Sequence, residues 1–443
     1  MKLRDKKVLI VGLGKSGMAA RKLLISQGAD ICLYDGSRDA DISGISEPVY
    51  LGDYPDDITS KLDLAVFSPG VPLDIELADT LRQAEIPIIG ELELAYLLEK
   101  GCVIGITGTN GKTTTTTLTG EIMKAHFEHV LVVGNIGVPY TEKVMESSKD
   151  SVTVAEISSF QLETIQSFHP HISAILNITP DHLNRHKTME CYIDTKFNIG
   201  RTQRESDVII LNYEDEVLRE KASSMPGHVM FFSSKTQLSS GVFLDEEGNI
   251  VYADEHQIIC NVKDCKLLGM HNYENYMAAI AISIKMGVPV TTIKKVVEEF
   301  QGVEHRVEYV TEKHGVTYYN DSKGTNPDAA IKGIQSMNRQ TVLIGGGYDK
   351  KSDFTEWIQA FNGKVNYLIL LGDTADQIED TARKCGFTNI VRVTTLQEAV
   401  EEASHLAKEG EAVLLSPACA SWDMFKSYEQ RGDLFKEYVN NLE

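Results

Sequence analysis

Ile104-Gly105-Ile106-Thr107-Gly108-Thr109-Asn110-Gly111-Lys112-Thr113-Thr114 is an apolar, β-rich run that breaks at glycines and resumes as a helix-compatible stretch. Glycines let a backbone turn its amides toward phosphate oxygens. Lys112 can then reach terminal phosphates, and the Thr113 hydroxyl can ligate Mg²⁺. The fit to G-x-x-x-x-G-K-[ST] is incomplete, because Ile106 stands where the first glycine belongs. A chance glycine-lysine-threonine turn is the plainer reading. The strand before the turn and the threonine run 113–117 behind it favour a phosphate loop.

At 443 residues the chain exceeds the size at which one hydrophobic core stops growing, so two or three domains are expected. Upstream of the loop, Val8-Leu9-Ile10-Val11 leads into Gly12-Leu13-Gly14-Lys15-Ser16-Gly17, then a helix-like stretch at 18–27. A second strand, 31–34, ends at Asp35, and Leu64-Ala65-Val66-Phe67 stops at Ser68-Pro69-Gly70. A helix-like stretch at 91–100 precedes the phosphate loop's strand. Downstream, apolar runs recur at 130–133, 152–157, 172–178 and 208–211. A third series follows a helical stretch at 291–300, with 342–344 before Gly345-Gly346-Gly347, then 368–371 and 413–415. Strands alternating with helices indicate parallel sheets. The fold class expected is α/β in three domains: a Rossmann-like N-terminal domain over 1–93, a central P-loop-type ATPase domain over 94–300, and a Rossmann-like C-terminal domain over 301–443.

Bulk properties exclude several classes. With 43 basic and 64 acidic residues the formal charge is −21, against the basic surface that nucleic acid or an anionic membrane would need. No apolar run approaches the ~20 residues of a membrane span. The charged opening Met1-Lys2-Leu3-Arg4-Asp5-Lys6-Lys7 leaves no room for a signal peptide's apolar region. Seven cysteines, none in a Cys-x-x-Cys pair, fit a reducing compartment, so a cytoplasmic location is expected. Anionic substrates must then be attracted locally, by backbone amides, a few cations and metal ions.

Gly108-Thr109-Asn110-Gly111-Lys112-Thr113-Thr114 resembles the ATP loop of the Mur ligase family, whose loop departs from the Walker pattern in the same way. The resemblance extends over nearly the whole chain. It includes Gly134-Asn135-Ile136-Gly137, Glu156-Ile157-Ser158-Ser159-Phe160-Gln161-Leu162 and Asn177-Ile178-Thr179-Pro180-Asp181-His182-Leu183. It continues through His271-Asn272-Tyr273-Glu274-Asn275, His305-Arg306, Asn320-Asp321-Ser322-Lys323-Gly324-Thr325-Asn326 and Ser416-Pro417-Ala418-Cys419-Ala420-Ser421-Trp422-Asp423. The segment 416–432 and the dinucleotide-like N-terminus are most similar to the branch that adds D-glutamate. That resemblance implies ATP as co-substrate, two Mg²⁺ ions, UDP-N-acetylmuramoyl-L-alanine as acceptor and D-glutamate as donor of the amine. It also implies an acyl-phosphate intermediate. From the charge and the short apolar runs no nucleic acid partner and no membrane span are expected, and the chain is expected to act as a monomer.

Catalytic residues follow from the same match. Glu156 ends an apolar strand, as a Walker-B-like acid would, to hold Mg²⁺ beside Thr113. Spacing alone also allows a helix-start residue at Glu156, and leaves His182 open between a metal ligand and a structural histidine. The resemblance makes His182 a ligand of a second Mg²⁺. Sequence reasoning by itself calls Lys196 a surface lysine on a helix. The family places a carbamylated lysine there, organising that second ion. Gly108, Thr109, Asn110, Gly111, Lys112, Thr113, Thr114, Asn272, Asn275, Arg306 and Asp321 are the expected ATP contacts. Arg306 alone would read as half of a solvated pair with His305.

Gly12-x-Gly14-x-x-Gly17 followed by Asp35 matches the dinucleotide pattern, and taken alone suggests an NAD-dependent oxidoreductase. The pattern reports only a pyrophosphate at a helix N-terminus and an acid near a ribose or base, which a UDP-sugar also offers. By resemblance Lys15, Ser16, Asp35, Ser37, Arg38, Ser68, Pro69 and Gly70 neighbour the UDP, and Asn135 the muramoyl part. Asp35-Gly36 and Ser-Pro-Gly are also ordinary loop punctuation. D-Glutamate needs localized cations: Lys323, with Thr325, and Lys350 after Gly345-Gly346-Gly347-Tyr348-Asp349. Lys350 shares its tract with Lys351, which leaves it less firmly placed than Lys323. Ser421, Trp422, Phe425 and Tyr428 are expected to complete that pocket, although the spacing of Phe425 and Tyr428 also fits the core face of a helix. Members that add a diamino acid carry Asp-Asn-Pro-Arg, absent from this sequence. The rival readings are another amide ligase of the family, including folylpolyglutamate synthetase, the NAD oxidoreductase, and a non-catalytic nucleotide-binding regulator.

Overall fold

The computed structural model describes residues 2–135, 137–267, 269–348 and 350–442. Met1, Ile136 and Asp349, quoted above, lie outside the described residues. The chain divides into two compact units, Met1–Asn261 with Glu274–Val297, and Val262–Tyr273 with Glu298–Glu443.

The first unit holds two sheets among the described residues. One is five-stranded, in the order Val49–Leu51, Asp30–Asp35, Lys7–Val11, Leu64–Phe67, Ile88–Gly90, with every pairing parallel. The order reverses beside Lys7–Val11, the position at which open α/β sheets bind ligands beyond their strand ends. After Lys7 that strand is wholly buried, which is why it reads as a continuous apolar run. The helix Lys15–Ser26 follows at once and packs through Gly17, Ala19, Ala20, Leu23 and Leu24. A Cβ at Gly17 would lie 1.9 Å from the Gly12 carbonyl oxygen, so only glycine allows this approach of helix to strand.

The other sheet runs Gln257–Asn261, Asn249–Tyr252, Val242–Leu244, His228–Ser233, Val208–Asn212, Ile172–Ile175, Cys102–Thr107, Val152–Glu156, Val130–Gly134. From His228–Ser233 onward the pairings are parallel, which sends the phosphate loop, Glu156 and Gly134 to the same edge. Ile106 is registered on Glu156, and Glu156 in turn on Gly134. The two antiparallel pairings at the far edge, formed by Val242–Leu244, Asn249–Tyr252 and Gln257–Asn261, fall in a region with no apolar run long enough to announce them.

The second unit carries a six-stranded sheet in the order Glu308–Lys313, Val316–Asn320, Ala412–Leu415, Thr341–Gly345, Val365–Leu370, Ile390–Arg392. The first pairing is antiparallel and the others are parallel. Asn320, Gly345 and Leu415 therefore end side by side, and the loops 321–326, 346–348 and 416–423 leave from one edge. Among the described residues no helix is long and apolar enough to cross a membrane.

Candidate active site

The phosphate loop spans the gap between the strand Cys102–Thr107 and the helix Lys112–Lys124. Gly111 caps that helix in the left-handed region at φ +82°, where a Cβ would lie 2.2 Å from the Asn275 side-chain oxygen. That oxygen also accepts from the Thr115 hydroxyl at 3.2 Å, so Asn275 braces the start of the helix. Asn177 fixes the other side: its side-chain oxygen accepts from the Asn110 amide at 2.8 Å, and its backbone carbonyl from Thr109 at 2.9 Å. The Lys112 ammonium donates to the carbonyl oxygens of Gly108 and Thr109 at 2.8 and 2.9 Å, folded against the loop it belongs to.

Glu156 ends its strand almost wholly buried. One carboxylate oxygen accepts from the Asn135 side chain at 2.8 Å, while Oε2 is buried with no hydrogen-bond partner among the described residues. A capping box between Ser158 and Gln161 turns the chain away immediately after, leaving the carboxylate at the strand's tip. The Asn135 loop is also held by Lys15, whose ammonium donates to the Gly137 carbonyl oxygen. The N-terminal glycine loop and the Glu156 carboxylate thus meet on the same short segment.

Lys196 lies in the last turn of the helix Met189–Phe197 and is 1% exposed, so the surface-lysine reading is overturned. Its ammonium donates to the Gly108 carbonyl oxygen at 2.8 Å and stands 4.8 Å above the ring of Tyr192. Burial, reinforced by the charge of Lys112, pulls its pKa down from 10.5 to about 7. The Tyr192 hydroxyl meets the Thr109 hydroxyl at 3.0 Å, closing a circuit of loop, tyrosine and lysine. His182 has a left-handed backbone, φ 52°, and caps the short helix Leu183–His186. Its ring is half exposed, 3.6 Å from the Asp181 carboxylate and 4.8 Å from the Phe160 ring centroid.

At the N-terminal sheet, the Asp35 carboxylate accepts from the amides of Leu13 at 2.8 Å and Ser37 at 2.9 Å, holding the glycine loop open. The Ser68 hydroxyl is buried and donates to Gly12 O at 2.9 Å, so Ser68 shapes the loop from beneath. Arg38 lies exposed, its guanidinium 2.6 Å from Asp53. A cavity of about 650 Å³ opens here, lined in part by Gly12, Tyr34, Asp53, Tyr54 and Gly70.

In the second unit, Asp321 is buried at the end of its strand and accepts from the Ser416 hydroxyl at 2.7 Å. Desolvation pushes its pKa up to about 7 against the lowering effect of that bond. Arg306, exposed nearby, also lowers it. His305 is packed inside, with Nδ1 3.0 Å from the Asn320 side-chain nitrogen. Lys323 stands 5.5 Å over the ring of Tyr428, and Lys350 stands 4.8 Å over the ring of Trp422. Phe425 and Tyr428 do not share a helix face. The helix begins at Tyr428, whereas Phe425 precedes it and packs partly buried against the core of Val316, Ile344, Leu371 and Leu415. Ser421 is buried as well, leaving Trp422 as the exposed member of that group.

Three family models match the chain in order: the Mur ligase MurD-like, N-terminal domain at 6–90, the Mur ligase middle domain at 106–283, and the Mur ligase, glutamate ligase domain at 305–419. A protein of Lachnoclostridium phytofermentans named UDP-N-acetylmuramoylalanine--D-glutamate ligase is 54% identical over 452 residues, covering 100% of this chain and 99% of that one. The chain belongs to the Mur ligase family. A protein of the same name from Lachnospira eligens is 51% identical and covers 100% of both chains. Two solved Mur ligases of Thermotoga maritima share the fold. One, a UDP-N-acetylmuramate-alanine ligase, has a TM-score of 0.57 at 19% identity over 98% of this chain and 99% of its own. The other, a MurF ligase in complex with ADP, has a TM-score of 0.57 at 16% identity over 99% and 96%. As a Mur ligase the chain is an ATP-dependent, amide-forming ligase.

Several residues of this Mur ligase carry the site without having been singled out from sequence. Asn177 sits inside a motif quoted above and Tyr192 lies four residues before Lys196, but their bonds to the phosphate loop are long-range. Arg431 was hidden in an amphipathic helix. It is buried and donates to Ser322 Oγ at 3.0 Å, Ser322 O at 2.9 Å and Cys419 O at 3.1 Å, tying two strand-end loops together. A basic residue on the apolar side of a helical pattern is the signal that would have found it.

Proposed function

We propose that the chain adds D-glutamate to UDP-N-acetylmuramoyl-L-alanine in peptidoglycan precursor synthesis, through an acyl-phosphate intermediate. The observation that carries this is its full-length identity of 54% and 51% to two proteins named for that ligation. An oxygen of the L-alanine carboxylate attacks the γ-phosphorus of ATP, the bond to the β–γ bridging oxygen breaks, and ADP leaves. The neutral amine of D-glutamate then attacks the acyl carbon. The tetrahedral intermediate collapses with loss of phosphate, and the amine gives up a proton. Lys112, at the helix start beside the loop, is assigned to offset the charge of the transferred group. Backbone amides of residues 108–114 hold the remaining phosphate oxygens.

The donor set fits divalent metal. Glu156 offers a buried oxygen with no hydrogen-bond partner among the described residues, an arrangement costly to leave unmet. In this reading Thr113 and Glu156 hold one Mg²⁺, and His182 with carbamylated Lys196 holds the second. Bound there, Mg²⁺ supplies positive charge between two mutually repelling anions. Lys196 suits carbamylation because a pKa of about 7 leaves much of its amine neutral at physiological pH. Its nitrogen attacks CO₂, loses one proton to solvent, and becomes a carbamate.

Asn272, Asn275, Arg306 and Asp321 are assigned to ATP. Lys15, Ser16, Asp35, Ser37, Arg38, Ser68, Pro69, Gly70 and Asn135 are assigned to the UDP-substrate, with Ser68 acting through the loop it supports. Lys323, Thr325, Lys350, Ser421, Trp422, Phe425 and Tyr428 are assigned to D-glutamate, with Trp422 acting through Lys350. All come from one chain, so a monomer suffices, and the cytoplasm supplies every substrate. The test is phosphate release from ATP with Mg²⁺ and UDP-N-acetylmuramoyl-L-alanine. Release that depends on D-glutamate, and not on L-glutamate or L-lysine, is expected. Equal release with another amine, or with none, overturns the assignment.

A further inference from the structure

The chain has two tryptophans, and they are used in opposite ways. Trp357 is fully buried in the core of the second unit, whereas the indole of Trp422 is 62% exposed. Beside it stands Tyr348, also exposed, with ring centroids 5.7 Å apart and planes tilted by 58°. Two large aromatic rings held together in solvent are an outlay that core packing does not explain. The Lys350 ammonium lies 4.8 Å from the centre of the Trp422 ring.

The backbone beneath this ledge is fixed. The Tyr348 amide donates to Ala420 O at 2.9 Å, and the Gly346 amide to Pro417 O at 2.9 Å. The Thr374 hydroxyl bonds both the amide and the carbonyl of Gly347. At Gly347, φ +147°, a Cβ would lie 2.4 Å from Ala420 O, so the two loops approach as closely as glycine permits. A lysine side chain has several rotatable bonds, and ordering it on a ligand is entropically costly.

The geometry points to Trp422 as a positioning residue: with Tyr348 it forms an aromatic ledge that pre-orients Lys350, and not Lys351, toward a carboxylate of the incoming amino acid. This rests on the assignment of Lys350 to D-glutamate in the proposed function. Trp422 acts through the lysine and does not itself meet the substrate. The ledge also resolves the ambiguity of the Lys350-Lys351 tract. At Lys351 the backbone turns through φ 59°, and the cation over the ring is that of Lys350.

The test is steady-state kinetics on the full chain with each substrate varied in turn. Trp422→Leu is expected to raise the KM for D-glutamate about two- to fivefold, the factor an exposed cation–π contact is worth, while kcat and the KM for ATP hold. Trp422→Phe should restore most of the loss. In a Lys350→Ala background, Trp422→Leu should have no further effect, and Lys351→Ala should leave the D-glutamate KM where it was. An unchanged KM in Trp422→Leu, a loss spread over all three substrates, or full additivity with Lys350→Ala overturns the ledge and leaves the Lys350 assignment standing. An unchanged D-glutamate KM in Lys350→Ala overturns that assignment and the ledge with it.

Discussion

The ammonium of Lys196 donates to the carbonyl oxygen of Gly108 at 2.8 Å, so a buried cation ties the helix Met189–Phe197 to the phosphate loop. Its pKa falls to about 7, burial being the main cause and the Lys112 charge the second. An unfolded lysine keeps its proton to about 10.4. Between those values the unfolded chain binds more protons, so this group makes stability rise with pH. Its contribution is complete above the unfolded value and is lost as pH falls through about 7. In calorimetry without metal or bicarbonate, the wild-type thermal midpoint should gain more between pH 7 and 9 than that of Lys196→Met. Parallel curves would show that the amine is not desolvated.

The neutral form of the same side chain, well populated above a pKa of about 7, should take up CO₂. With ¹³C-bicarbonate at pH 8 the wild type is expected to show a carbamate carbonyl resonance that Lys196→Met lacks. Activity of that variant should drop by about 10² or more, the scale on which fixed charge at a reacting centre operates. Normal turnover by Lys196→Met would remove the residue from the chemistry.

Glu156 gives one oxygen to Asn135 and keeps the other buried without a hydrogen-bond partner among the described residues. Asn135→Ala would strip the carboxylate of that remaining bond, at a cost of about 1–3 kcal/mol. Glu156→Gln removes the charge and should not lower the thermal midpoint, yet should reduce kcat by about 10²–10³. Mg²⁺ is expected to raise the midpoint of the wild type and not of Glu156→Gln, as mass action requires of a ligand held by the folded state. Equal stabilisation of both proteins would place the metal elsewhere.

What could be read from sequence divides along a physical line. The phosphate loop was legible because strand, glycine turn, Lys112 and Thr113 are contiguous, and their chemistry is local. The glycine loop at 12–17 was legible for the same reason, whereas the close approach that Gly17 permits emerged only from the structure. Lys196 was not, since a lysine in a helix becomes buried only through what packs on it. Without the resemblance it would have been left on the surface. Phe425 and Tyr428 misled because their separation is helical while the helix starts only at Tyr428. The strand-end braces Asn177, Tyr192 and Arg431 act across long sequence separations, where no local pattern records the partner.

Asp321 carries the opposite linkage to Lys196. Burial raises its pKa to about 7, against about 3.9 in an unfolded chain. Between those values the folded state holds the extra proton, so the stabilising contribution is complete below about 3.9 and is lost as pH rises through 7. Asp321→Asn should flatten the pH dependence of the second unit's thermal transition between pH 4 and 7. A slope identical to the wild type's would mean that the carboxyl ionises at its ordinary value.

Arg431 converts one side chain into the link between the loops 321–326 and 416–423. Its guanidinium donates to Ser322 Oγ and to the carbonyl oxygens of Ser322 and Cys419, with Ala420 O at 3.3 Å. Burial pulls its pKa down to about 10, so it remains charged at neutral pH. Arg431→Lys keeps the charge but loses the planar fork, and one ammonium cannot reach acceptors spread over both loops. Arg431→Met leaves several buried carbonyls unmet, about 3 kcal/mol or more. At roughly 2–4 °C per kcal/mol for a unit of this size, the second unit's transition should fall by about 6–12 °C. Because those loops carry Lys323 and Trp422, Arg431→Lys should raise the KM for D-glutamate more than that for ATP, even at temperatures where the variant is fully folded. If Arg431→Lys melted and turned over like the wild type, the loops would be held by their own backbone bonds, and the buried guanidinium would be packing rather than a tie.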